Sequence, residues 1–310
     1  MLVVKKSYRA DMFDTLLQAI GNTPLVKLSS IPGKTNAERN NVFLAKLEGN
    51  NPAGSVKDRA AVSMILGAQN KGLVKKNSLL IEATSGNTGI ALAMASRILG
   101  YRMRLIMPEN LSIERRQVMR AFGAELILVS QSEGMEGARD FALEMEKNGE
   151  GKVLNQFSND DNWLAHYNHT AEEILRFTAG KVTHFVSAMG TTGTITGVSR
   201  KLKEVNSTIQ IIGVQPSDGS QIPGIRKWLE PYIPPIRKKA KIDQIEEISQ
   251  EEAEEMARRL ALEEGIFCGP SGAGALCVAL RIAKDLRNTC LVFIVGDRGD
   301  RYLSQNLFPG

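Results

Sequence analysis

The regular alternation of apolar segments with helix-forming segments most constrains the fold of this chain. From Leu79 onward, short segments with the composition of buried strands are separated by helical patterns of roughly 10 to 15 residues. This order is typical of βαβ units, in which parallel strands form a sheet that helices cover on both faces. The predicted strands are 23–28, 42–47, 79–82, 102–107, 125–129, 152–154, 184–188, 209–214 and 290–295.

Capping residues place the ends of two predicted helices. Ser112 begins one helix, which Gly123 ends. Ser249 and Glu252 form a capping box at the start of another helix, and Gly265 stops it. No internal repeat and no low-complexity segment interrupts the alternating pattern.

The size and composition of the chain allow one large or two ordinary hydrophobic cores. The chain has 310 residues, of which 43% are apolar. No segment approaches the roughly 20 apolar residues needed to cross a bilayer, and the apolar stretch within residues 1–10 is too short for a signal peptide. We expect a globular protein without a membrane partner, in which residues 1–14 form an N-terminal extension.

The cysteines and histidines give no metal-binding pattern. The three cysteines, Cys268, Cys277 and Cys290, lack metal-type spacing, and their odd number suits reduced thiols. His166 and His169 are spaced to lie on one helix face, but no cysteine or carboxylate stands at a fitting offset. We expect no metal ion, no disulfide framework and a cytoplasmic location.

The net charge of +5 raises the question of a nucleic-acid partner. The most basic segment, residues 237–241, follows two prolines and contains no aromatic residue. A solvated loop explains this segment better than a nucleic-acid surface does, and a modestly basic surface would also attract anionic substrates. We therefore expect no nucleic-acid partner.

Two strand–turn–helix units contain turns of small residues that suit an anion. The turns are ATSGNTG at residues 83–89 and GTTGTITG at residues 190–197. Backbone N–H groups and hydroxyls in such turns point at one spot, as a bound carboxylate or phosphate requires. Glycines in the second turn allow close backbone approach, so this turn is predicted to bind a phosphate group.

Lys57 is the candidate covalent attachment site for an aldehyde cofactor. It follows a turn containing Gly54 and Ser55 and begins an apolar, helix-forming run. A lysine amine condenses with an aldehyde once desolvation or neighbouring cations lower its pKa, and a helix N-terminus also disfavours the ammonium form. Alone, such a lysine is most often a solvated surface residue. The two anion-binding turns change that interpretation.

These segments together resemble the fold type II pyridoxal-phosphate enzymes, and within them the cysteine synthases, or O-acetylserine sulfhydrylases. The resemblance extends from about residue 20 to residue 303. The segments that carry it are GNNPAGSVKDR (49–59), GMEGARD (134–140), MGTTGT (189–194) and IPGIR (222–226). They are similar to the B-type enzymes, because the A type usually carries a second glycine in place of Thr192.

The resemblance implies an α/β fold of two three-layer domains with mostly parallel sheets. The cofactor, pyridoxal 5′-phosphate, would lie in the cleft between the domains. A smaller, mobile, substrate-binding domain would cover residues 51–159, and the larger domain, which binds the cofactor phosphate, would comprise residues 15–50 and 160–310. A homodimer is also implied.

The resemblance also implies roles for individual residues. Lys57 would hold the cofactor as a Schiff base and later remove the substrate Cα proton, and Asn87 would hydrogen-bond the cofactor 3′-oxygen. Ser271 would face the pyridine nitrogen, and Arg226 would help accept larger sulfur donors. The cofactor phosphate would contact Gly190, Thr191, Thr192, Gly193 and Thr194. The substrate would contact Thr84, Ser85, Gly86, Thr88 and Gln156.

The chain departs from the family pattern around Ser271 and at position 296. Pro270 precedes Ser271, Gly272 replaces a second serine, and Gly296 stands where the B type usually has cysteine. A neutral hydroxyl at the ring nitrogen does not hold the ring protonated as a carboxylate would. Loss of a β leaving group would therefore be favoured over transamination.

The reaction that the resemblance implies is a β-replacement on an amino-acid substrate. Acetate would leave O-acetyl-L-serine to give an aminoacrylate, and sulfide or thiosulfate would add to give L-cysteine or S-sulfocysteine. Three alternatives remain: a serine or threonine dehydratase, a cystathionine β-synthase-like enzyme, and a basic α/β binding module without cofactor. The IPGIR segment resembles cysteine synthases rather than dehydratases, and the extra domains usual in cystathionine synthases have no counterpart in the chain.

Overall fold

Two sheets with helices on both faces make up the computed structural model, which describes residues 13–84, 86–110 and 113–309. The strands are β1 (Leu25–Lys27), β2 (Val42–Leu47), β3 (Leu79–Ala83), β4 (Arg102–Pro108), β5 (Glu125–Val129), β6 (Lys152–Val153), β7 (His184–Ala188), β8 (Gln210–Pro216), β9 (Gln244–Ile248) and β10 (Cys290–Val295). The α-helices are α1 (Gly33–Glu38), α2 (Lys57–Asn70), α3 (Asn87–Leu99), α4 (Ile113–Ala121), α5 (Gly134–Lys147), α6 (Asp160–Ala165), α7 (Ala171–Phe177), α8 (Gly193–Val205), α9 (Gln250–Glu264) and α10 (Pro270–Ile282).

The chain leaves the larger sheet once and returns to it. The larger sheet has the order β1-β2-β10-β7-β8-β9, and all neighbours in it are parallel except β1 and β2. The smaller sheet has the order β5-β4-β3-β6 and is parallel throughout. Every strand of the smaller sheet falls within the predicted domain 51–159, and the domain limits themselves stay a prediction.

Strand β10 shows why the sequence of a central strand is apolar without interruption. Leu291, Phe293 and Val295 face a core that α9 and α10 cover, whereas Val292 and Ile294 face a second core under α7 and α8. Successive side chains of a strand point to opposite faces, so a strand covered on both faces needs apolar residues at every position. Two further clusters cover the two faces of the smaller sheet in the same way.

The predicted alternation of strands and helices is confirmed. All nine predicted strands are present, with ends that differ by at most two residues from the prediction. The capping box at Ser249 and Glu252 forms, and Gly265 ends the helix with φ of +68°. The predicted helix start at Ser112 lies outside the described residues. Within the described ranges, no helix combines the length and the apolar character needed to cross a membrane.

One strand, β9, was missing from the sequence prediction. It pairs only with β8 at the edge of the larger sheet, and most of its side chains are exposed or half-buried. An edge strand with exposed faces does not need apolar residues, and Glu246 and Glu247 removed the apolar signal from this segment.

Candidate active site

The candidate site lies where the parallel strands of the larger sheet end. The carboxyl ends of β7 and β10 lead directly into its walls, and the segment after β2 brings in the start of α2. Such an edge is the usual ligand site of parallel α/β sheets. About 400 Å³ of space lies between the walls of this cleft, a figure that includes open solvent. Six residues predicted from the sequence line it: Lys57, Gly190, Thr191, Thr192, Thr194 and Ser271.

Lys57 begins α2 and is held against the end of β10. Its backbone N–H donates to the Ser55 hydroxyl at 3.2 Å, and the N–H of Val56 donates to the Gly296 carbonyl at 2.8 Å. Burial lowers the pKa of the Lys57 amine, while the carboxylates of Asp297 and Glu48 partly oppose that shift. The site therefore raises the share of the neutral, nucleophilic amine at this position.

A buried ionic network connects the start of α2 to the larger sheet. The Arg59 guanidinium lies between two carboxylates, with Nε 2.7 Å from Glu48 and Nη1 2.7 Å from Glu173. Lys46 Nζ lies 2.5 Å from the second oxygen of Glu173. Burial would raise the pKa of Glu48, but Arg59 and Lys46 lower it to about 2. Both carboxylates are therefore ionised, and they fix the helix turn that carries Lys57.

The backbone conformation of Thr192 points to an anion at the start of α8. Thr192 has φ of +69° at the N-cap, a left-handed conformation that is unfavourable for a β-branched residue. Its buried hydroxyl has no hydrogen-bond partner among the residues that the structure describes. A phosphate at this helix N-terminus would give the hydroxyl its partner, so the loop fits the phosphate of pyridoxal 5′-phosphate.

The glycines of the same loop leave no space for side chains. A Cβ on Gly190 would lie 2.5 Å from the carbonyl oxygen of Gly224, and one on Gly193 would overlap the Asn162 side chain. Asn162 Nδ2 donates to the Gln156 carbonyl at 2.7 Å and to the Thr191 hydroxyl at 3.2 Å. Asn162, which the sequence analysis missed, thus joins the predicted phosphate loop to the predicted substrate residue Gln156.

The predicted substrate residues meet at the end of β3. The Thr88 hydroxyl donates to the Gln156 side-chain oxygen at 2.6 Å, and Thr84, Thr88 and Gln156 are all buried. Glu82 accepts the backbone N–H groups of Asn155 at 2.8 Å and Gln156 at 3.4 Å, which fixes this segment beside β3. Gly86 is the N-cap of α3, and Ser85 lies outside the described residues.

Asn87 is held by side chains that follow β10. Its Nδ2 donates to Asp297 at 2.6 Å, and its Oδ1 accepts from Arg301. Tyr302 also donates to Asp297, at 2.5 Å. An amide nitrogen carries two hydrogens, so one donor of Asn87 remains for a ligand. The sequence analysis missed Asp297, Arg301 and Tyr302, although a polar run directly after an apolar central strand was a usable signal.

The departures from the family pattern leave Ser271 in the cleft. Pro270 occupies the first position of α10, where its missing N–H costs nothing. A Cβ on Gly272 would lie 2.9 Å from the Cα of Val295, so a second serine has no room in this chain. The Ser271 hydroxyl lies 3.7 Å from the point where a side chain on Gly296 would begin.

Arg226 lies beside the phosphate loop. Its N–H donates to the Met189 carbonyl at 3.0 Å, and its guanidinium lies 5.6 Å from the ring centroid of Trp228. Trp228 in turn donates to the Gly190 carbonyl at 2.7 Å. Arg226 is exposed, yet its surroundings remove part of its hydration and, together with Arg139, lower its pKa.

His166 lies beside the loop of residues 190–194. His166 is buried, its Nδ1 lies 3.0 Å from the Thr170 hydroxyl, and burial lowers its pKa to about 3. Its Nε2 lies 3.4 Å from the Thr194 hydroxyl, so the ring supports the phosphate loop. Across residues 13–84, 86–110 and 113–309, no three His, Cys, Asp or Glu side chains are placed to hold a metal ion.

Comparisons with known proteins identify the family to which the chain belongs. A family model for pyridoxal-phosphate dependent enzymes matches residues 16–297. Cysteine synthase B of Pseudomonas aeruginosa is 56% identical over 296 residues, which are 96% of this chain and 98% of that protein. Cysteine synthase B of Escherichia coli K12 is 58% identical over 294 residues, which are 95% of this chain and 96% of that protein. A crystal structure of the cysteine synthase of Entamoeba histolytica has a TM-score of 0.93 at 39% identity, covering 99% of this chain and 94% of that chain. The chain therefore belongs to the pyridoxal-phosphate-dependent enzymes, and within them to the cysteine synthases.

Proposed function

We propose that this protein is a pyridoxal-phosphate-dependent cysteine synthase. It converts O-acetyl-L-serine and a sulfur donor, sulfide or thiosulfate, to L-cysteine or S-sulfocysteine and acetate. The observation that carries this proposal is the cleft in which the desolvated amine of Lys57 faces the loop with the unpartnered Thr192 hydroxyl. The similarity to two B-type cysteine synthases favours this activity over a dehydratase or a cystathionine synthase.

The residues around the cleft would hold the cofactor at four points. Lys57 Nζ would bond to it covalently, and Asn87 would donate to its 3′-oxygen. The Thr192 hydroxyl and the first N–H groups of α8 would bind its phosphate, and Ser271 would face its ring nitrogen. When bound, pyridoxal phosphate supplies an electron sink for the charge left at the substrate Cα.

Lys57 would also move the proton in the reaction. Once the substrate amino group has displaced it, Nζ is free to take the proton from the substrate Cα. Burial lowers the pKa of the amine and thus favours its neutral form before this step. The carboxylates of Asp297 and Glu48 stabilise the ammonium that the step creates, because both raise the pKa of Lys57.

The substrate would bind against the turn at the end of β3. Thr84, Ser85, Gly86 and Thr88 would contact its carboxylate through hydroxyls and backbone N–H groups. The hydrogen bond between Thr88 and Gln156 fixes the Gln156 amide, and the Gln156 side chain also hydrogen-bonds Glu82, so one Nε2 hydrogen would remain as a donor for the same carboxylate.

The test of this function is the substitution Lys57→Ala. We expect it to abolish turnover of O-acetyl-L-serine, the visible absorbance of the holoenzyme and the borohydride-stable attachment of the cofactor. Lys71→Ala is the matched control, because Lys71 is an exposed lysine at the other end of α2. It should keep all three properties. Peptide mapping that finds the cofactor on a different lysine would contradict the assignment.

The assembly and the location of the protein are proposed from the resemblance. We expect a homodimer in the cytoplasm, with residues 51–159 as the mobile domain. Three free thiols, Cys268, Cys277 and Cys290, support a reducing compartment. Sedimentation of the holoenzyme would test the dimer directly.

A further inference from the structure

The Arg301 guanidinium joins the turn before Lys57 to the start of α3. Its Nη2 donates to the Ala53 carbonyl, and its Nη1 donates to the Asn87 side-chain oxygen. Ala53 lies four residues before Lys57, and Asn87 is the first residue of α3. Arg301 itself lies in the segment that follows β10 of the larger sheet. One half-buried side chain thus connects three segments that are far apart in the sequence.

The turn around Ala53 fixes the position of the Arg301 guanidinium. A Cβ on Gly54 would lie 2.7 Å from Arg301 Nη2, and the φ of Gly54 is +82°, which residues with a side chain rarely adopt. The N–H of Ala53 donates to the buried Asp58 carboxylate at 2.5 Å. Burial raises the pKa of Asp58 to about 7, while the Ala53 N–H and the positive charge of Arg301 oppose that shift. Hydrogen bonding, free space and charge at this turn therefore all favour a guanidinium beside Asn87.

Groups of opposite charge hold the two ends of the Asn87 amide. Its Nδ2 donates to the Asp297 carboxylate at 2.6 Å, and its Oδ1 accepts from Arg301. A guanidinium only donates hydrogen bonds, and a carboxylate only accepts them. The reversed amide would set its oxygen against Asp297 and its NH₂ group against Arg301, and both hydrogen bonds would be lost. The two charged groups therefore select one amide orientation, in which an Nδ2 hydrogen is the group that remains for a ligand.

We propose that Arg301 is a positioning residue that acts on the cofactor through Asn87. This inference rests on the proposed function, in which Asn87 donates to the cofactor 3′-oxygen. Without Arg301, the Asn87 oxygen loses its partner, and Asp297 alone holds the amide. The donor for the 3′-oxygen is then less well oriented, and a turned amide would present its own oxygen to the cofactor oxygen. Arg301 therefore contributes to cofactor binding without touching the cofactor.

The principal test is titration of the apoprotein with pyridoxal 5′-phosphate in a double-mutant cycle. Arg301→Met removes the guanidinium but keeps an unbranched side chain, and it should weaken cofactor binding about 10-fold. In the Asn87→Ala background the same change should weaken binding by about 2-fold or less, because the group through which Arg301 acts is gone. Arg298→Ala is the matched control, since Arg298 lies in the same segment but is exposed and pairs with Asp300 at 3.0 Å. It should leave the affinity unchanged.

The absorbance spectrum at saturating cofactor supplies a second measurement, which a purely structural role of Arg301 would not change. A donor at the 3′-oxygen favours the form of the bound cofactor in which that oxygen is ionised. Arg301→Met and Asn87→Ala should therefore both lower the ratio of visible to near-ultraviolet absorbance. Arg301→Lys keeps the charge but replaces the fork with a single nitrogen, so its ratio should lie between those of the parent protein and Arg301→Met.

The outcomes separate this inference from the proposed function. An equal loss of affinity from Arg301→Met in the parent protein and in the Asn87→Ala background would overturn the inference, because Arg301 would then act independently of Asn87. An unchanged affinity and spectrum in Arg301→Met would overturn it as well. If Arg301→Met does not fold, Arg301→Lys takes its place in the same cycle. The titration needs no turnover, so a holoenzyme that forms no cysteine would refute the proposed function and leave this test decisive.

Discussion

The substitution Glu173→Gln tests whether the buried ionic network stabilises the fold around Lys57. The Glu173 carboxylate accepts from Lys46, from two nitrogens of Arg59 and from the backbone N–H of Asn22, at distances of 2.5 to 2.9 Å. Glutamine keeps the shape but removes the charge, which leaves two buried cations with Glu48 as their remaining carboxylate. Removing one partner of a buried ion pair costs about 3 to 5 kcal/mol in the free energy of unfolding.

The neighbouring residue supplies a matched control for this change. Glu172 lies on the same helix, α7, and pairs with Lys201 at 2.6 Å, but its side chain is 51% exposed. An exposed ion pair contributes about 0 to 1 kcal/mol, so Glu172→Gln should cost little. We expect a difference of roughly 3 kcal/mol between the two variants. That difference is a large part of the roughly 5 to 15 kcal/mol that stabilises an ordinary domain.

The pH dependence of the effect gives an independent check. Burial would raise the pKa of Glu173, but Arg59 and Lys46 together hold it below its usual value of 4.5. A carboxylate with a lowered folded pKa stabilises the protein above its unfolded pKa, and this stabilisation is lost as the pH falls. The difference between the parent protein and Glu173→Gln should therefore be complete near neutral pH and should shrink below pH 4.5.

The assay is urea unfolding at a fixed cofactor concentration, followed by the fluorescence of Trp163 and Trp228 and by circular dichroism. Coincident transitions for the two probes are needed before a free energy is assigned. Equal effects of Glu172→Gln and Glu173→Gln, or a difference that does not depend on pH, would refute the account of the network. Because Arg59 lies in the first turn of α2, a destabilised network should also weaken cofactor retention through Lys57.

Two further substitutions test the cofactor contacts. Ser271→Asp should promote protonation of the cofactor ring nitrogen and raise the share of transamination over β-replacement, measured from the products of single turnovers. Ser271→Ala should lack this effect. If neither variant changes the rate or the products, the Ser271 hydroxyl does not face the ring nitrogen. Thr192→Gly should lower cofactor affinity about 10-fold, because a hydroxyl donor to an anion is lost. The same change should leave the apoprotein as stable as the parent in urea, or more stable, because glycine adopts positive φ without strain. If Thr192→Gly binds the cofactor as tightly as the parent protein does, Thr192 is not part of the phosphate site.

The sequence predicted those strands and helices whose determinants lie within the element itself, such as its apolar pattern and its capping residues. The apolar run of β10 follows from its burial on two faces, and the helix α9 follows from its capping box and its terminal glycine. The edge strand β9 has no such determinant, because its place in the sheet depends on pairing with β8. Its assignment required the tertiary structure.

Sequence patterns did not identify the hydrogen-bond and ion-pair partners of the predicted site residues, because these partners are far apart in the sequence. Asn87 and Asp297 hydrogen-bond across 210 positions of sequence, and Arg59 and Glu173 pair across 114. Side chains of this kind show only residue type in a sequence, and surface residues of the same types are far more common. Local patterns brought Lys57 and the predicted phosphate-binding turn into the prediction, and the resemblance to cysteine synthases added their roles, but neither identified the side chains that hold them.

The position of the unsatisfied oxygens links stability to function in this fold. Among the described residues, the buried side-chain oxygens without a hydrogen-bond partner are Thr192 Oγ1 and Asp297 Oδ1. Folded proteins satisfy almost all such atoms, and each exception costs about 1 to 3 kcal/mol. Both exceptions flank Lys57: Thr192 lines the same cleft, and Asp297 acts electrostatically on the amine. In the proposed holoenzyme a phosphate would accept a hydrogen bond from the Thr192 hydroxyl, and an ammonium formed at Lys57 would attract the Asp297 oxygen. The network around Glu173 offsets this cost, so weakening the network should make the stability of the protein depend more strongly on bound cofactor.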